Sequence, residues 1–359
     1  GSDVIMYMEL TDTGQEFEFQ NDGTGYNSYV KVGTGSGTAV NAASSNYVTS
    51  LTYLAAGDTL NLNTTGSAIL SGLDIANTGT TITDNGNGQM VTLHSAAGNT
   101  GNEAYTYAGS IAGDTSVYKT GAGNQILTGT VNVTDSTGFL DIKEGSITLK
   151  PRDGVSQSFE YLQGASGTTL NLDNSADGDQ TLVLGFSATT ASKDYQGTVD
   201  LTGSGSSTTL QVGSTTDGSS YGLEQVLSGQ LTGDGSEQLK KSGEGRLKLS
   251  NSGNDFTNGN TNTSVIINDG TLVASHASAL GGANNKIVIN KGKLELDGDI
   301  TLANTSILGS ASGKSMVGGD GTFSSITVGS GTNEIKAISP GRGISSSLSP
   351  SNHQVTLGT

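Results

Sequence analysis

The sequence has no cysteine and no tryptophan, only 3 prolines and 3 histidines, and few basic residues: 16 Lys and Arg against 33 Asp and Glu, a formal charge of −17. Without cysteine there is no disulfide and no thiol nucleophile, so the fold has to be held by hydrogen-bond ladders and stacked apolar side chains. The shortage of Lys and Arg excludes nucleic acid and an anionic lipid surface as partners, because phosphate binding needs clustered positive charge. The acidity itself reads as a solubility device. No apolar run approaches the roughly 20 residues that span a bilayer, so direct membrane insertion of this chain is not expected, and no charged-then-apolar signal segment opens it. The scarcity is uneven as well. Lys31 is the only basic residue before Lys119, whereas basic residues recur from Lys240 to Arg342, so the two ends are expected to differ in role or partner.

What is present is glycine, 55 of 359 residues, with Ser, Thr, Asn and Asp filling the spaces between short aliphatic clusters. There is no triplet period of the collagen kind, and the regular clusters argue against simple disorder. The dominant apolar spacing is two, as in Leu60-Asn-Leu62, Leu170-Asn-Leu172, Leu182-Val-Leu184, Leu210-Gln-Val212 and Ile326-Thr-Val328. That spacing predicts strands and an all-β chain.

One ten-residue pattern recurs, apolar at positions one, three, eight and ten with Gly at six. It runs Leu140-Asp-Ile142-Lys-Glu-Gly145-Ser-Ile147-Thr-Leu149, Val265-Ile-Ile267-Asn-Asp-Gly270-Thr-Leu272-Val-Ala274 and Ile287-Val-Ile289-Asn-Lys-Gly292-Lys-Leu294-Glu-Leu296. The pattern predicts two short strands joined by a turn whose Gly adopts positive φ. Two geometries satisfy it, a β-hairpin and the corner of a solenoid, and sequence does not choose between them. A second element, Lys119-Thr-Gly121-Ala-Gly123, is answered by Lys241-Ser-Gly243-Glu-Gly245-Arg-Leu247-Lys-Leu249. It is not a phosphate loop, which needs the Lys after the last Gly and a helix behind it.

The stretch from Leu239 to Leu296, with Lys241-Ser-Gly-Glu-Gly-Arg-Leu-Lys-Leu249, Asn254-Asp-Phe256-Thr, Ile267-Asn-Asp-Gly-Thr-Leu272 and Ala279-Leu-Gly281, resembles the passenger-associated β-strand repeat of autotransporter proteins. Ile338-Ser-Pro340-Gly341 is similar to the Ser-Pro-Gly that often follows such repeats, and Lys119 to Leu149 resembles a degenerate copy. The likeness covers about a third of the chain well and about half loosely, and does not extend to the first hundred or so residues. It implies a right-handed parallel β-helix, exported across the outer membrane to the bacterial cell surface by a C-terminal barrel outside this chain. On that reading, residues 116–359 form the β-helical region. Residues 1–115, with Val4-Ile-Met-Tyr-Met8 and Glu16-Phe-Glu-Phe19, form a cap or divergent β region. Coils of roughly 20 residues at ~4.8 Å would give a rod on the order of 70–90 Å. Gly1-Ser2 reads as an expression scar, and the whole as a segment of a longer precursor.

Chemistry-bearing constellations are sparse. His94, His276 and His353 lie far apart and read as structural, and no Gly-x-Ser-x-Gly elbow is present. A glycan-cleaving β-helix would need paired carboxylates about 5–9.5 Å apart. Asp141 with Glu144, or Asp173, Asp177 and Asp179, are the local acidic groups to test, against the plainer reading of acidic turn formers. Asp173, Ser175, Asp177 and Asp179 also match the first half of a calcium loop, but the twelfth position is Leu184, so a surface calcium competes with an ordinary tight turn. Asp84-Asn-Gly86-Asn-Gly88 is a weaker calcium motif, and no other cofactor is expected. For binding, Tyr26, Tyr29, Tyr47, Tyr53, Tyr105, Tyr107 and Tyr118 concentrate in the first third, where they present either a ligand surface or the filling of a cap. The expectation is a non-enzymatic stalk or adhesin that binds a cell-surface protein or glycan or associates with itself. A secreted polysaccharide-degrading β-helix and a structural surface fibre are the alternatives.

Overall fold

The computed structural model describes strand backbone at 16–19, 28–31, 39–42, 47–53 and 59–61, most of the chain from 68 to 328, and strands 336–340 and 356–357. Between 68 and 328 the stretches not described are 77, 85–87, 89, 96–103, 134–137, 153–154, 174–178, 186–191, 203–206, 216–222, 236, 258–262 and 309–313. Strands of two to eight residues make up the regular structure, and each strand pairing between described residues is parallel.

The chain divides into two compact units, Gly1–Asn171 and Leu172–Thr359. In the first unit successive strands are dealt in turn to separate ladders. One ladder runs through Thr81–Thr83, Ser110–Ala112, Val131–Val133 and Gln157–Phe159, a second through Met90–His94, Ser116–Thr120, Leu140–Ile142 and Leu162–Gly164, and a third through Tyr105–Tyr107, Asn124–Leu127 and Ser146–Leu149. Parallel pairing also joins Glu16–Phe19 to Ala39–Ala42 and Ser28–Lys31 to Tyr47–Tyr53. In the second unit one ladder contains Gln238–Ser242, Thr263–Ile267 and Lys286–Ile289, and another contains Glu224–Leu227, Arg246–Leu249, Thr271–Ala274 and Gly292–Leu296.

This dealing resolves the hairpin-or-corner question. Val265–Ile267 pairs with Leu239–Lys241 and Ile287–Ile289, whereas Thr271–Ala274 pairs with Arg246–Leu249 and Lys293–Leu296. The two halves of the ten-residue pattern therefore never pair with each other. Each Gly marks a corner at which the chain passes from one ladder to the next, and the fold is a parallel β-solenoid.

The core is a set of aligned aliphatic columns. Gln225, Leu247, Leu272, Leu294 and Val317 share a register, as do Val91, Val117, Leu140 and Leu162, and the aliphatic members are essentially inaccessible. Burying each such side chain contributes about 1.5–3 kcal/mol. The corners stack in the same way. Gly145 and Gly270 have φ of +66° and +64°, and a methyl group at Gly270 would fall on the carbonyl oxygen of Gly243 in the corner of the preceding coil.

Polar side chains also enter the interior, at places that need a donor. Lys119 stands in register between Leu93 and Ile142, and Lys241 between Leu210 and Ile267. Both are fully buried. Lys119 Nζ donates to the carbonyls of Thr120 and Gly121 at 2.7 Å and of Glu144 at 3.2 Å. Lys241 Nζ donates to those of Ser242 and Gly243 at 2.6 Å and of Asp269 at 3.2 Å. Two of the three acceptors belong to the lysine's own corner and the third to the corner of the next coil. Lys-Thr/Ser-Gly-x-Gly is thus a corner lock, in which one ammonium ties together carbonyls of two successive corners. Burial pushes Lys119 down to about 8 and Lys241 to about 7, with Glu144 and Asp269 opposing the shift. Buried amides do similar work elsewhere: Gln125 reaches the carbonyls of Leu73 and Tyr105, and Asn254, Asn285 and Asn304 bridge the turns of successive coils.

Candidate functional site

In a solenoid the residues between the inward columns face outward, and along the second ladder of the first unit they form a grid. Ser116, Tyr118 and Thr120 lie on one coil, Phe139, Asp141 and Lys143 on the next, and Tyr161, Gln163 and Ala165 on the one after. Tyr118 is in register with Asp141, and Asp141 with Gln163. The three aromatic rings, all half-buried, pack together: Tyr118 meets Phe139 edge-on with centroids 5.4 Å apart, and Phe139 stacks on Tyr161 at 4.9 Å and 9°.

Asp141 sits beneath this cluster with its side chain 2% exposed. Its Oδ2 accepts from Gln163 Nε2 at 2.8 Å and pairs with Lys143 Nζ at 2.6 Å. Lys143 is itself about half exposed, and its Nζ lies 5.7 Å from the centre of the Tyr118 ring. Burial raises the Tyr118 hydroxyl above its usual range, with Asp141 adding to the rise and Lys143 opposing it. Burial likewise raises that of Tyr161, with Tyr118, Asp141 and Glu160 adding to it. Both phenols are therefore neutral hydrogen-bonding groups at physiological pH.

The other acidic candidate, Glu144, lies at a corner, where its Oε2 accepts the Gly121 N–H at 2.9 Å. The backbone carbonyl of Glu144 holds Lys119. Asp141 and Glu144 are thus each committed to a structural partner, one on the outer face and the other at the corner lock.

The tyrosines divide sharply. Tyr26 lies outside the described residues, and of Tyr29, Tyr47 and Tyr53 only strand backbone is described. Tyr105 is half-buried with its ring packed where a Cβ on Gly72 would stand. Tyr107 is corrected as a ligand-binding candidate: it is 1% exposed, its hydroxyl donates to the Ser110 carbonyl at 3.0 Å, and it is a core ring, because its register with Leu127 and Leu149 turns it inward.

Asp173 is half-buried after the strand Thr169–Leu172, while Ser175, Asp177 and the side chain of Asp179 lie outside the described residues. Asp84 is fully buried and its Oδ1 accepts the Asp114 N–H at 3.0 Å, so this carboxylate caps a neighbouring turn. His94 Nδ1 is 3.1 Å from the Thr120 hydroxyl, His276 accepts the Ser278 N–H, and His353 is outside the described residues. Among the described residues no three His, Cys, Asp or Glu side chains gather as a metal site.

Phe139, Tyr161, Lys143 and Gln163 are the residues that sequence reading passed over. Their signal was present in combined form. Alternation fixes which residues face outward, and a coil of 22 or 23 residues brings Tyr118, Asp141 and Gln163 into line. The equivalent face of the second unit carries charge instead. Arg246 bridges Glu224 at 3.2 Å and Glu295 at 2.9 Å, Lys293 reaches Glu295 at 2.9 Å, and Lys248 reaches Asp297 at 2.7 Å, with a buried Val273 in register between Lys248 and Glu295. No protein-family model, curated protein or solved structure matches this chain.

Proposed function

We propose that this chain is an exported, surface-displayed passenger of the autotransporter kind, a non-enzymatic β-solenoid that binds a ligand of a host or neighbouring cell through its outer face. The observation that carries this reading is the row Tyr118, Phe139 and Tyr161. Three large rings, half-buried and packed on one another, lie along a rigid ladder beside polar groups already fixed by hydrogen bonds. Aromatic rings on rigid strands give contact area at small entropic cost, which suits recognition. One further feature favours a passenger of this kind: the two Lys-x-Gly-x-Gly corners of the resemblance noted above.

The test is direct. Fluorescently labelled chain is added to epithelial cells and to Gram-negative bacteria, and bound label is measured against concentration. Saturable binding is the expected result. Absence of saturable binding, together with shortening of polysaccharide chains by the same preparation, would replace this reading with that of a secreted polysaccharide-degrading enzyme. Fibre formation by the purified chain without cell binding would replace it with that of a structural component.

A further inference from the structure

We propose that the outer face of the first ladder of the first unit is an ice-binding surface, built on one column of hydroxyls: Thr81, Ser110, Thr130 and Ser156. This goes beyond the cell-binding reading, which is carried by the aromatic row on the second ladder.

The strands of the first ladder turn Ile82, Ile111, Val131 and Gln157 inward, so the residue before each faces out. Thr81 is in register with Ser110. Ile111 pairs with Val131 and Val131 with Gln157, which brings Thr130 and Ser156 into the same column. The Ile111 N–H donates to the Thr130 carbonyl at 2.9 Å and the Val131 N–H to the Ser156 carbonyl at 3.2 Å, so the ladder holds through both residues. Each coil therefore contributes one hydroxyl, at the roughly 4.8 Å separation of neighbouring strands. All four residues are at least partly exposed, and among the described residues none of the four hydroxyls has a hydrogen-bond partner. Backbone pairing sets Thr59 beside Thr81 as the next place in the column. Other outward hydroxyls of this unit are engaged: Thr148 Oγ1 accepts from the Asn124 and Asn171 amides at 3.0 Å, and Ser158 Oγ bonds Asn132 Oδ1 at 3.1 Å. An unbonded row is a property of this column.

The chemistry of the row selects its occupant. A hydroxyl that leaves water for a dissolved ligand exchanges one hydrogen bond for another and gains little. Protein partners are held by aromatic and Arg anchors, with Ser and Thr contributing weakly, and no aromatic side chain faces out on these strands. What the row does have is a period. A periodic solid rewards a period, because each further coil repeats the same match. Ice is such a solid: its molecules donate and accept as hydroxyls do, and its oxygens repeat at a spacing close to that of neighbouring strands. Short side chains on a rigid ladder, the threonines stiff about χ1, meet it with little ordering cost.

The face also lacks charge, which would hold liquid water in place of lattice water. Its outward positions are Thr81, Thr83, Ser110, Ala112, Thr130, Asn132, Ser156 and Ser158, although the chain carries a formal charge of −17. At the strand ends Asp84 and Glu160 are fully buried, and Asp114 lies two residues beyond its strand. Arg152 gives its guanidinium to the carbonyls of Ala108 and Thr128.

The experiment uses the labelled full chain in a slowly growing ice hemisphere, with the label in ice and in liquid measured after partial freezing, and follows recrystallisation of fine-grained ice in parallel. The variants are Ser110→Tyr and Thr130→Tyr, which stand a ring off the face, Ser110→Thr, which keeps it, and Ile126→Tyr, an outward position on the third ladder. Circular dichroism checks each for an intact solenoid. Enrichment in ice over an inert labelled protein is expected for the parent chain, falling at least about fivefold in Ser110→Tyr and Thr130→Tyr and staying within about twofold in Ser110→Thr and Ile126→Tyr, since one protruding ring spoils the fit of neighbouring coils. Exclusion of the parent chain from ice overturns the inference, and that measurement needs no variant to fold. Enrichment unchanged in both tyrosine variants of the row overturns it as well. Binding of a soluble neutral polysaccharide that those two variants abolish, without enrichment in ice, would replace ice with a glycan. Cell binding without enrichment in ice sinks this inference alone, and enrichment in ice without cell binding sinks the passenger reading alone.

Discussion

A lysine in an apolar column is the least expected residue of this protein, and the corner lock explains it. Lys119 and Lys241 lie two residues after Val117 and Leu239, so strand alternation alone turns them inward. Their aliphatic stems extend the column and their ammonium groups answer three carbonyls each. Replacing Lys241 by Met keeps the stem and removes the donor. Each buried carbonyl left without a partner costs about 1–3 kcal/mol, so Lys241→Met is expected to lose roughly 3 kcal/mol or more of local stability, read as faster amide exchange in the strands Gln238–Ser242 and Thr263–Ile267. Exchange unchanged in those strands would show that the corner does not need its ammonium. The same residue-scale logic separates Tyr107 from Tyr118. Composition ranks them alike as surface aromatics, and only the direction in which each strand residue points makes one a core ring and the other a surface ring.

At the scale of the element, the unit is a strand, a corner and a strand, and glycine is demanded by the corner rather than by the strand. Gly270 carries two constraints, a left-handed φ and a carbonyl oxygen of the adjacent corner where a Cβ would stand. Gly167 carries only the first, since at φ +84° a Cβ there would meet nothing within 4 Å. Gly167→Ala is therefore expected to cost about 1–2 kcal/mol, the backbone penalty alone, and Gly270→Ala clearly more, because stacked corners cannot move apart without breaking the ladders. Equal losses in the two variants, measured by denaturation of the full chain, would contradict this account of stacked corners.

At the scale of the whole molecule, a solenoid adds stability from neighbour to neighbour, so perturbations stay local. Glu295 offers the test. Its burial raises the carboxyl pKa, but hydrogen bonds and charge from Arg246 and Lys293 outweigh that and bring it from 4.5 to about 2. The folded value lies below the unfolded one, so the stabilisation is fully present above pH 4.5 and is lost as pH falls from 4.5 towards 2. A shift of that size corresponds to about 3 kcal/mol. Acid titration followed by hydrogen exchange is expected to loosen first the strands Arg246–Leu249, Thr271–Ala274 and Gly292–Leu296 and to leave Gly1–Asn171 unaffected through this group, with Glu295→Gln removing the dependence. Loss of protection spread evenly over both units would refute nearest-neighbour behaviour.

Much of this protein was written along the chain. Period-two spacing made it all-β, glycine at the sixth place of the ten-residue pattern set the corners, and the absence of cysteine left ladders and columns to hold it. These features are legible because they are local: alternation and positive φ depend on a residue and its immediate neighbours. Partnership was not local. The same Asp269-Gly270 turn serves a hairpin or a corner, and only pairing with strands 22 or more residues away decided for the corner. Nor could sequence join Tyr118, Asp141 and Gln163 into one surface, because their adjacency depends on coil length and register. Those are fixed only when successive coils stack and align their apolar columns.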